Sequence, residues 1–68
     1  MNEETFNISI RKFLKMVGVK SQHEIEQAVA RACAEGRLQG SEGLPANMVL
    51  RIPQIGLEVT FNGRIDLE

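Results

Sequence analysis

The stretch from Met48 to Ile65 leaves this chain few choices. Its side chains alternate between apolar and polar, the period of a half-buried strand. Two tight turns could fold it. One is Asn62-Gly63, the strongest short-range hairpin signal between apolar runs. The other is Pro53-Gln54-Ile55-Gly56. A two-residue turn at Asn62-Gly63 sets Phe61 opposite Arg64, Thr60 opposite Ile65, Val59 opposite Asp66 and Glu58 opposite Leu67, so both faces become mixed. A turn at residues 53–56 sets Ile52 opposite Leu57, Leu50 opposite Val59 and Met48 opposite Phe61, all on one side. Arg51 then faces Glu58 on the other side, and Val49 faces Thr60. Cross-strand pairs of these kinds contribute roughly 0.2–1 kcal/mol each. A slip of one residue would turn the whole apolar set to water, so the register is strongly specified. The expected ribbon has strands over about 47–52 and 57–66. Phe61 is expected in the core. Gly63 becomes a strand glycine, which marks a bulge or a close approach of another backbone. The facing strand near Ala46 and the edge of a second subunit are the two candidates for that neighbour.

The N-terminal half has helical periodicity. Phe6, Ile10, Phe13, Leu14 and Val17 recur at the spacing of one helix face. Asn2 can cap that helix, and Glu3 and Glu4 suit the positive end of its dipole. Gly18 can take the left-handed stop conformation, with Val19 folding back onto Leu14. Ser21-Gln22-His23-Glu24 then reads as a capping box that opens a second helix. Ile25, Ala28, Val29, Ala32 and Cys33 form its apolar face, and Gly36 ends it. The predicted helices span about 3–17 and 22–35. Residues 36–47, "GRLQGSEGLPAN", read as a long loop anchored by Leu38 and Leu44. The predicted fold class is α+β in ααββ order, one domain over 1–68, with two helices packed on the apolar face of the hairpin. The last two residues, Leu67-Glu68, also occur as a cloning remnant and carry no weight.

Size and composition bound the rest. Sixty-eight residues bury a modest core, and natural domains this small usually add disulfides, a metal or a partner subunit. Cys33 is the only cysteine and His23 the only histidine, which excludes an internal disulfide and disfavours a Cys/His metal site. A homodimer is the remaining source of stability, and a lone ribbon with two open edges gives it a motive. A net charge of −1 gives no general attraction to nucleic acid or anionic membrane. No apolar run approaches the roughly 18 residues of a membrane span, and "MNEETFN" lacks the regions of a signal peptide. A cytoplasmic protein is expected.

Chemistry-bearing constellations are scarce. Cys33, on the inner face of the second helix, reads as a buried structural cysteine. His23 has no nucleophile or carboxylate partner in reach of the pattern, Glu24 and Glu26 point to different faces, and Gly40-Ser41-Glu42-Gly43 lacks the lysine of a phosphate loop. No catalytic residue, metal ligand or cofactor site is assigned, and the chain is not expected to be an enzyme. The candidate interaction surface is the basic face of Arg11, Lys12 and Lys15 with Ile8 among them, together with the strand edge near Gly63. The alternative is a helix-turn-helix with a hairpin wing, in which Gln22, His23, Gln27 and Arg31 contact nucleic acid. Glu24, Glu26 and the negative net charge oppose it, and a third helix is missing.

The segments "MNEETFNISIRKFLKMVGVKSQHEIEQAV", "LPANMVLRIP" and "IGLEVTFNGRIDL" together resemble a family of short uncharacterised bacterial proteins, a domain of unknown function. The likeness covers nearly the whole chain and has no catalytic motif. It implies a compact bacterial cytosolic protein without an assigned activity, for which a dimer is no surprise, and solved structures for relatives of this kind.

Overall fold

The computed structural model describes residues 1–68, as two compact units, Met1–Glu35 and Gly36–Glu68. The first unit is one helix, α1, over Glu3–Ala34. Its start is as the sequence predicts. The Asn2 side chain accepts a hydrogen bond from the Thr5 backbone N–H at 3.0 Å, and Glu3 and Glu4 occupy the first turn. The end is also as predicted: Glu35 N–H donates to the Arg31 carbonyl at 3.0 Å, and Gly36 takes φ +76° just beyond.

The interior corrects the prediction of two helices. Residues 18–21 are helical, and Gly18 is not among the glycines with positive φ. The physical reason is the weakness of the stop. A glycine inside a helix costs about 1 kcal/mol relative to alanine, which lowers stability without forcing a break. No proline interrupts residues 3–34, and a capping box acts only where a helix end already exists. Val19 therefore continues the helix, 62% exposed, instead of folding back on Leu14. At 3.6 residues per turn, the two apolar runs are centred on lines roughly 85° apart around the axis. Ala32 is the only buried residue of the chain, and Val17, Ser21 and Val29 are half-buried. Cys33 is exposed, which corrects the expectation of a buried thiol.

The second unit is an antiparallel hairpin of β1, Gly43–Ile52, and β2, Leu57–Asp66. The chain reverses through a short 3-10 turn, Pro53–Ile55, closed by Gly56 at φ 65° with its N–H on the Pro53 carbonyl at 3.1 Å. Met48 pairs with Phe61, Leu50 with Val59, Arg51 with Glu58 and Ile52 with Leu57, as the alternation predicts. Ala46 pairs with Gly63. β1 begins at Gly43 rather than near residue 47 because β2 runs on to Asp66 and the alternation continues through Leu44 and Ala46.

The loop is correspondingly shorter than the predicted 36–47, and Glu42 ties it. Its carboxylate accepts the backbone N–H groups of Gln39 at 2.8 Å, Gly40 at 2.9 Å and Ser41 at 3.1 Å. These bonds, that from Gln39 foremost, hold the Glu42 carboxyl below its ordinary pKa against some desolvation. Leu38 and Leu44 are half-buried.

Candidate interaction surface

The ladder geometry fixes what each side of the hairpin presents. Leu67 N–H donates to the Glu42 carbonyl at 2.9 Å, one step beyond the pair Gly43–Asp66. Antiparallel pairs alternate between bonded and non-bonded. The even residues of β1 and the odd residues of β2 therefore bond across the hairpin. Their side chains form one wholly apolar face: Leu44, Ala46, Met48, Leu50 and Ile52 against Ile65, Gly63, Phe61, Val59 and Leu57. Met48, Ile52, Val59 and Phe61 are exposed, Phe61 at 56%, so the expectation of Phe61 in a core is corrected for the single chain.

The other residues turn their backbone groups to the two outer edges. On β1 these include Pro45, opposite Arg64. Its missing N–H falls on the edge, where a sheet tolerates proline, and it interrupts that edge as a template for another strand. On β2 the outward residues are Glu58, Thr60, Asn62, Arg64 and Asp66, each with its N–H and carbonyl intact. Arg51 Nε donates to Glu58 Oε1 at 2.9 Å across the strands, and Arg64 Nε to Asp66 Oδ1 at 2.8 Å along β2. Both pairs are solvent-exposed and worth little singly. The Arg64 guanidinium lies where a Cβ on Gly43 would stand. Gly63 has open space around its would-be Cβ.

On α1 the structure brings Ile8, Arg11, Lys12 and Lys15 to one face, since their spacing is i, i+3, i+4, i+7 on a continuous helix. Ile8 is 48% exposed. Val19, four residues beyond Lys15, extends this face with a second apolar residue. The sequence reading missed it because a stop at Gly18 would have turned Val19 away. Gly63 belongs to the hairpin unit.

The residues assigned to nucleic acid fare differently. His23, Gln27 and Arg31 share a helix face, whereas Gln22 lies about 100° from His23 and its Nε2 donates to Glu26 at 3.5 Å. With residues 18–21 helical there is no turn between two helices, so the helix-turn-helix alternative fails on geometry. Glu24 likewise caps nothing, because it sits mid-helix. No group of three or more His, Cys, Asp or Glu could hold a metal ion, and no helix is long and apolar enough to cross a membrane.

A family model described as "Family of unknown function (DUF6494)" matches residues 1–68. The chain belongs to DUF6494. This agrees with the resemblance to an uncharacterised domain family. No curated protein and no solved structure matches the chain, so the solved relatives implied by that resemblance are not found. DUF6494 supplies no functional residues, and the surfaces described above rest on this chain's own geometry.

Proposed function

We propose that the chain is a non-enzymatic protein-interaction module that works as a homodimer in the cytoplasm. One observation carries this reading: Ala32 alone is buried, while large apolar side chains are exposed along α1 and along one face of the hairpin. An amphipathic helix or a sheet face is stable when a second layer covers it. A two-stranded hairpin alone is marginal in water. A second copy offers the same faces for mutual cover, through the self-complementary contact of a two-fold dimer. The lone cysteine, exposed and unbridged, suits a reducing compartment.

Sedimentation equilibrium tests the reading. A mass near twice 7.6 kDa is expected at micromolar concentration. The thermal midpoint should rise with protein concentration, as mass action requires of a dimer. A mass of 7.6 kDa at high micromolar concentration, with a midpoint independent of concentration, would overturn it.

A further inference from the structure

We propose that two copies of this chain join along the outer edge of β2, antiparallel about a two-fold axis at Phe61, to make a four-stranded sheet in the order β1-β2-β2-β1. The inference rests on the homodimer reading and adds the surface and the register.

The two hairpin edges are not equivalent. The β1 edge lacks a donor at Pro45, whereas the β2 edge presents an unbroken ladder from Glu58 to Asp66. A strand added to such an edge satisfies the open backbone groups. Four strands with one apolar face also meet the requirement for independent stability that two strands do not.

Register follows from two constraints. Outward residues of one copy must oppose outward residues of the other, so the axis must pass through a residue and not between two. Only two positions give the longest overlap of β2, whose bounds are Leu57–Asp66. An axis at Asn62 pairs residues 58–66 and sets Glu58 opposite the second copy's Asp66, twice by symmetry. Like charges directly opposite destabilise a sheet. An axis at Phe61 pairs residues 57–65 and sets Glu58 opposite the second copy's Arg64, again twice. The existing Arg51–Glu58 pair then becomes a row of alternating sign across the polar face.

The apolar face agrees with the second position. Phe61 meets its own copy at the axis, as a non-bonded pair, where side chains come closest and aromatic rings gain from contact. Val59 falls opposite Gly63, around whose would-be Cβ there is open space.

Two asparagines supply the test. Asn47 and Asn62 face each other across the hairpin, and each turns its N–H to an outer edge. Asn62→Pro and Asn47→Pro are therefore matched lesions on opposite edges. Sedimentation equilibrium of the full chain should give Asn62→Pro a dissociation constant raised at least about tenfold, since two inter-copy hydrogen bonds are lost. Asn47→Pro should leave it unchanged. A charge exchange tests the register. Glu58→Arg and Arg64→Glu should each weaken the dimer, and the double variant should dimerise more tightly than either. This series decides the matter alone if far-UV circular dichroism finds the hairpin lost in the proline variants. Dimers that survive Asn62→Pro, or a double variant no tighter than the singles, would overturn the β2 edge and leave the homodimer reading standing. An unchanged chain that stays monomeric throughout would overturn both.

Discussion

The hairpin carries its constraints between residues far apart in the chain, and the helix carries them between neighbours. Met48 and Phe61 are thirteen positions apart yet fixed opposite each other, and slipping either strand by one position would set its apolar residues against the polar face of the other. In α1 each residue answers mainly to those three or four positions away. A misfit such as Gly18 is then absorbed locally, at about 1 kcal/mol, while the rest of the helix stays in place. A ribbon register is therefore an all-or-none property, whereas a helix interruption is a matter of degree.

The sharpest way to break that contrast is Gly18→Pro. A proline inside a continuous helix removes a hydrogen bond and clashes with the preceding turn, costing about 3 kcal/mol or more. Loss of ellipticity at the helical band, with a fall of that size in urea unfolding, is expected. Tolerance of the proline would mean that the helix breaks after all. Gly18→Ala supplies the opposite sign. Nothing lies within 4 Å of the added Cβ, so alanine should stabilise the helix by roughly 0.5–1 kcal/mol. At a left-handed stop the same change would destabilise.

The hairpin counterpart is Gly56→Ala. Gly56 holds φ 65° and ψ 22° at the turn, a region that costs a residue with a Cβ about 1–2 kcal/mol. The expected outcome is a loss of that size in unfolding free energy without a change in register, read from the cross-strand nuclear Overhauser pattern. No loss would show that the turn is not held as described.

These positions also explain what was legible. Each hairpin pair is constrained by its neighbours, so Arg51–Glu58, Leu50–Val59 and Met48–Phe61 support one another in the sequence alone. That constraint also rejects Asn62-Gly63 as the turn. The extra residues of β1 were hidden by Pro45, which reads as a loop residue until its N–H is known to face an outer edge. The helix ends were legible at Asn2 and Gly36, where a cap and a left-handed glycine act together. Its middle was not, because Gly18 and Ser21-Gln22-His23-Glu24 permit a break without requiring one. The basic face survived the correction since it lay wholly within the first predicted helix. The helix-turn-helix reading did not, since it depended on the break.

A smaller effect sharpens the polar side of the ribbon. A double-mutant cycle on Arg51 and Glu58 should give a coupling of roughly 0.2–1 kcal/mol, the range for an exposed cross-strand ion pair, and it should shrink at high salt. A coupling of zero at low salt would mean that the 2.9 Å contact contributes no stability.

The smallest effect concerns the loop that leads into the hairpin. Glu42 gathers the N–H groups of Gln39, Gly40 and Ser41 onto one carboxylate. These bonds favour the charged form, so the folded pKa lies below the ordinary 4.5. A depressed carboxylate contributes stability above its unfolded pKa, and that contribution is lost as pH falls through the folded value. The amide resonances of Gln39, Gly40 and Ser41 should therefore titrate together with a midpoint below 4.5, while those of the β1–β2 ladder hold still. Glu42→Gln should abolish that common titration. A midpoint at or above 4.5, or amides that move independently, would dissolve the loop's tie to Glu42. The strand would then begin without a fixed lead-in, and the hairpin would rest on its cross-strand pairs alone.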